Sequence, residues 1–451
     1  DVATWAAATG FAAPVDYPPL VWLAAPQVLR GAAIDAAAET LAVGGETLTL
    51  RLVPKLPLNR SWFDASSAAF FHGRPVKLRG AREDGAFVAR SFWPQDFCLP
   101  ETPPATALAA EPDAIRAWVR ALPRGGADAP FGVEVAWRRP GSDEARTGRP
   151  VLAAVLNGAQ GDDDEAHGGH FALITGRIGA QGAIDDWLVN NFYTLDAESE
   201  KGIIAAPVPL DNYLGDLNAG QGWYRPSVMV VAVLREGRAA QHIQSALGRV
   251  YNQFYRHQFA YQHARANCAG ISVTTLRTLG WQIPERGPES WLKALPALPL
   301  VSVKERSLVR GKAVFDYLTE DRTRLYPAVA FEEIAADLMR LAAGAPGRNA
   351  GQLEQALAED IDEILLVRLP QFPSSRAWGD WPVASSTEYQ ARVPKDPAQQ
   401  QIVPVPPRPF PDALRDPAAP GEPMLRSDIA VIVWAAGLLM LMLSFLWRLW
   451  A

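Results

Sequence analysis

Two apolar runs constrain this chain more than any other feature. Residues 170–176 read His-Phe-Ala-Leu-Ile-Thr-Gly, and residues 187–193 read Trp-Leu-Val-Asn-Asn-Phe-Tyr. Between them lies the turn-forming stretch Gly179-Ala-Gln-Gly-Ala. Short β-prone runs joined this way fold as two antiparallel strands. His170 opens the first run and Asn191 closes the second, so pairing the strands brings an imidazole to a carboxamide. Downstream, Gln262-His-Ala-Arg-Ala-Asn-Cys268-Ala-Gly-Ile-Ser272 places a thiol at the head of an apolar helical face formed by Cys268, Ile271, Ser272, Thr275, Leu276 and Leu279. Gly280 is the natural stop of that helix.

The length, 451 residues, predicts two or three domains. The net charge of −6 comes without a basic block, which argues against nucleic acid as a partner. The two cysteines, Cys98 and Cys268, exclude a disulfide framework and a cysteine-rich zinc site. They leave a single Cys98–Cys268 bridge open.

The C-terminal residues 429–447 form an uncharged apolar run. As a helix it would measure about 28 Å, near the thickness of a hydrocarbon core. Trp434, Trp447 and Trp450 suit interfacial positions. The expectation is a single transmembrane helix in contact with membrane lipid. The chain starts at Asp1 without methionine. A removed signal peptide would place the body outside the cytoplasm; a tail-anchored cytoplasmic protein is the competing reading.

Residues 1–149 read as an α+β region without a chemical motif. A helix is expected over 33–41, and strands over 47–53, 75–78, 86–92 and 132–138. Residues 150–300 carry the candidate chemistry, with a buried strand at 227–234 and an amphipathic helix from 239 to about 257. Residues 301–369 read as a helical extension, with helices over 331–342 and 352–367. The proline-crowded stretch 370–428 reads as a semi-rigid spacer. Trp378, Trp381 and Tyr389 would let it dock on the body or on a protein partner.

A thiol attacks a carbonyl as its thiolate, which needs a base and gains from a helix N-terminus. Cys268 is the candidate nucleophile, His170 the base and Asn191 the group that orients the imidazole. Gln262, six positions before Cys268 (268 − 262), is the candidate oxyanion donor beside the Cys268 N–H. Several alternatives remain open. His167, His257 or His263 could serve as the base, and Asn190 could stand in for Asn191. The loop Asp162-Asp-Asp-Glu-Ala-His167 could ligate a metal, although neither a metal nor a cofactor is expected.

These motifs resemble those of papain-like cysteine hydrolases. The run from His170 looks like the family's histidine strand, and Asn191 followed by Tyr193 resembles its asparagine strand. Gln262 to Cys268 matches the family's glutamine-to-nucleophile spacing. Histidine before cysteine is the order of the circularly permuted branch, which includes acyltransferases. The cysteine's flanking residues depart from the family pattern, with Asn267 before it and no aromatic directly after.

The resemblance implies an α+β fold with a permuted papain-like core, an antiparallel sheet and a cysteine-bearing helix. It also implies a thiol hydrolase acting on an amide, peptide or ester through a covalent acyl-enzyme. Lipid or protein acyl transfer is the second reading, and a non-catalytic envelope scaffold the third.

Overall fold

The computed structural model describes residues 2–8, 25–56, 62–142, 145–195, 205–256, 258–344 and 350–401. The fold is α+β with two sheets. The first is a closed barrel of order β1-β2-β3-β5-β4. It comprises β1 (Gln27–Asp35), β2 (Thr40–Val43), β3 (Glu46–Leu52), β4 (Val76–Glu83) and β5 (Ala86–Pro94). The second has seven strands in the order β10-β9-β8-β7-β11-β12-β6. They are β6 (Gly132–Arg138), β7 (Pro150–Asn157), β8 (His170–Arg177), β9 (Leu188–Asn191), β10 (Ala206–Pro209), β11 (Ser227–Leu234) and β12 (Ile361–Leu369). Every neighbouring pair in this sheet is antiparallel.

Both faces of the larger sheet are covered, which is why its central strands are apolar without alternation. Leu152, Leu173, Val230 and Ile364 pack with Ile243, Leu247, Ile271 and Ile334 from the helices on one side. Ala153, Ile174, Val231 and Leu365 pack with Leu78, Phe87 and Phe92 of the barrel on the other. Full burial of such side chains contributes about 1.5–3 kcal/mol each, so this two-sided cover is the main stabiliser of the sheet.

The barrel is also tied to the sheet by charge. The Lys77 ammonium is fully buried, 2.5 Å from Asp185, 2.7 Å from Asp186 and 2.7 Å from Asp211. Arg79 reaches Asp211 at 2.7 Å and Arg30 reaches Asp185 at 2.8 Å. Among the described residues this trio of aspartates is the group whose carboxylates converge closely enough for a metal. Its centre is taken by the Lys77 ammonium.

Several sequence expectations change here. Residues 33–41 are the end of β1, a turn and the start of β2 rather than a helix; Ala36, Ala37 and Ala38 lie in the turn. The helix expected over 352–367 ends at Asp360, and Ile361–Leu369 continues as β12. The run Ile-Asp-Glu-Ile-Leu-Leu-Val is buried between β11 and β6, with Glu363 held by Arg138 and Arg146. The larger sheet therefore draws strands from outside 150–300.

The transmembrane element is a further correction. No helix among the described residues is long and apolar enough to cross a membrane. The run 429–447 lies outside the described residues, so neither the anchor nor the membrane placement is retained in this fold. The proline-rich stretch packs on the body over 370–401, with Phe372 and Trp381 buried.

Removing one partner of a buried ion cluster leaves uncompensated charge and costs about 3–5 kcal/mol. Lys77→Met is expected to lose stability on that scale in a urea melt. Arg82→Met, whose partner Glu46 is exposed, is expected to lose less than about 1 kcal/mol.

Candidate active site

The site is built on the ends of β7, β8 and β11 and the start of the helix Cys268–Thr278. Asn157 of β7 pairs with His170 of β8 on one side and Ser227 of β11 on the other. Its amide donates to Ser227 Oγ at 2.8 Å, and its Oδ1 accepts from the Tyr213 hydroxyl. Gly169, just before His170, has φ +71°, and a Cβ there would meet the Asn157 carbonyl at 2.5 Å. Glycine thus lets the chain enter β8 tight against β7.

β8 and β9 pair with Leu173 opposite Asn190 and Ile174 opposite Val189. Side chains alternate along each strand, so this register puts Asn191 on the face of His170 and turns Asn190 to the other. Asn190 exchanges hydrogen bonds with Gln244 on the helix Arg238–Tyr255. His170 Nε2 lies 2.8 Å from Asn191 Oδ1. With an amide oxygen as its partner, Nε2 carries the proton and Nδ1 keeps the lone pair. Asn191, not Asn190, is thus the imidazole's partner.

Cys268 heads its helix as expected. The Asn267 side chain caps it, accepting from Gly270 N–H at 2.7 Å. The thiol lies against the N–H of Phe171, the residue after His170, and against the Tyr261 hydroxyl. The Cys268 N–H donates to Tyr261 Oη at 3.3 Å. The sulfur thus lies against the backbone of the residue that follows His170, and the imidazole lies against the Asn191 carboxamide.

Cys268 is 3% exposed, His170 4% and Asn191 4%. Burial pushes the thiol above its usual range, opposed by the Phe171 N–H, the Tyr261 hydroxyl, the Ala269 N–H and the Arg225 cation. Burial, with the Arg225 charge, pulls His170 down to about 3, against the Asn191 hydrogen bond. At neutral pH the resting pair is a thiol and a neutral imidazole.

Gln262 does not join them. It is exposed, in a turn where its backbone pairs with Ala266 in both directions. Tyr261 is the neighbour that reaches the thiol. His263 is exposed and edge-on to Tyr261. His167 is buried beside Tyr389 and 3.7 Å from Asp164. His257 lies outside the described residues. Cys98 and Cys268 form no disulfide.

Sequence reasoning missed Asn157, Tyr213, Arg225 and the role of Tyr261. The His170 ring lies 6.2 Å from the Tyr193 ring and 6.4 Å from that of Tyr213, and Tyr193 lies 6.0 Å from Tyr261. The aromatic two places after Asn191 was the only one of these signalled by pattern.

Segment 370–401 closes over the loop that leads to His170. Asp380 pairs with Ala159 in both directions, Val383 N–H donates to the His167 carbonyl at 2.9 Å, and Asp164 and Gln401 pair at the end. No family model, curated protein or solved structure matches this chain.

The depressed His170 gives a signed pH effect. Unfolded chains protonate this imidazole below about 6.5, and the native chain only near 3. The unfolded state binds more protons between those values, so stability falls as pH drops through that window. Between pH 7 and 4.5 a His170→Gln variant is expected to lose about 2.5 kcal/mol less than the native chain in urea melts.

Proposed function

We propose that the protein is a thiol hydrolase or acyltransferase acting on an amide, peptide or ester through a covalent acyl-enzyme. The observation that carries this reading is the His170 Nε2–Asn191 Oδ1 hydrogen bond, made on the strand whose next amide faces the Cys268 thiol. That arrangement leaves Nδ1 as the free base. Cys268 Sγ attacks the carbonyl carbon while its proton passes to His170. The imidazolium then returns the proton to the leaving amine or alkoxide. Water or a second nucleophile releases the acyl group.

The Cys268 N–H and the Tyr261 hydroxyl are the donors proposed for the oxyanion, in place of Gln262. Asn191 holds the imidazole in the productive tautomer. A second reading is a non-catalytic scaffold that retains these residues as core. The near-complete burial of all three groups favours it.

A chloroacetamide probe on the intact protein separates the two. Cys268 is expected to label faster than Cys98, and the advantage is expected to vanish in His170→Ala. Because the resting pair is neutral, the rate is expected to climb steadily from pH 6 to 10 without a plateau. Equal labelling of both thiols, or no response to His170→Ala, would leave the scaffold reading standing.

A further inference from the structure

Arg225 is a cation buried beside the proposed nucleophile. It is 5% exposed and lies two positions before Ser227, at the entry to β11. Its hydrogen bonds run to neutral acceptors, with Nε 2.8 Å from Gln221 Oε1 and a terminal nitrogen 3.0 Å from the Gly158 carbonyl. Gly158 follows Asn157, the residue paired with His170. The guanidinium is thereby fixed beside the strand end that pairs with His170. Cys268, His170, Tyr193 and Tyr213 all feel its charge. The Asp163 carboxylate also acts on it.

A buried guanidinium held by neutral partners retains the capacity to bind a planar anion, and its forked donors match a carboxylate. We propose that Arg225 selects acyl donors bearing a carboxylate beside the scissile carbonyl, so that the substrate is an acidic amide or peptide. This rests on the thiol-hydrolase reading above. The carboxylate pairs with the guanidinium and directs the neighbouring carbonyl onto Cys268.

Iodoacetate and iodoacetamide test this with one reaction on one atom. In each, Cys268 Sγ forms a bond to carbon as the carbon–iodine bond breaks. Iodide leaves and the thiol proton passes to His170. The two reagents differ in presenting a carboxylate or a neutral amide. In the full-length protein at pH 7.5, the acetate-to-acetamide rate ratio at Cys268 is expected to exceed that at Cys98 roughly tenfold, the scale of one charge-assisted hydrogen bond.

Arg225→Gln is expected to bring the ratio down to the Cys98 value, and Arg225→Lys to retain part of it. His170→Ala is expected to lower both rates and to leave the preference in place. A ratio equal to that of Cys98, or one indifferent to Arg225→Gln in a variant with a native thermal melt, would overturn the anion site alone. If Arg225→Gln does not fold, the wild-type ratio and Arg225→Lys decide. Failure of Cys268 to outpace Cys98 with either reagent would overturn the thiol-hydrolase reading instead.

Discussion

A slip of one residue between β8 and β9 would turn His170 and Asn191 to opposite faces, because side chains alternate along a strand. What prevents it is the burial of the larger sheet on both sides. Leu173 and Phe171 fill the helical core, while Ala172 and Ile174 fill the core shared with the barrel. Exchanging these sets would drive large side chains into space shaped for small ones. The turn adds its own lock. Gly182 has φ +76°, and a Cβ there would meet the Leu99 carbonyl at 2.1 Å. The hydrogen bond between imidazole and carboxamide thus follows from apolar packing on both sides of the strand that carries it.

That dependence explains what was legible in the sequence. His170 and Asn191 were readable because a hairpin converts sequence spacing into spatial contact, and Cys268 because it heads an apolar helical face. Gln262 was misread because its distance from Cys268 says nothing about the turn it enters, where backbone pairing with Ala266 sends its side chain to solvent. Arg225 lies far from Cys268 in the chain and reaches the site only through the β7–β11 pairing, which leaves no local pattern. Residues 352–367 look helical by apolar spacing, yet the last part is claimed by the sheet, where tertiary burial outweighs local preference. The helix Trp291–Lys304 escaped notice because Pro296 and Pro299 interrupt it, whereas Leu308–Thr319 falls within the stretch read as helical. The first helix exposes Trp291, Leu292, Leu295, Leu300 and Val303.

The electrostatics of the cluster separate the part played by Arg225 from that of the other buried groups. Its charge favours the thiolate of Cys268 and opposes the imidazolium of His170. Proton transfer from sulfur to imidazole creates both species at once, so the two influences largely cancel. Arg225 is therefore a poor device for activating the nucleophile. A buried cation is costly to retain, and hydrogen bonds to Gln221 and Gly158 could equally be made by a neutral donor. The consequence that does not cancel falls on the charge of whatever enters beside it. An entering anion would also remove the cation's penalty on the imidazolium, making His170 a stronger base when that ligand is in place.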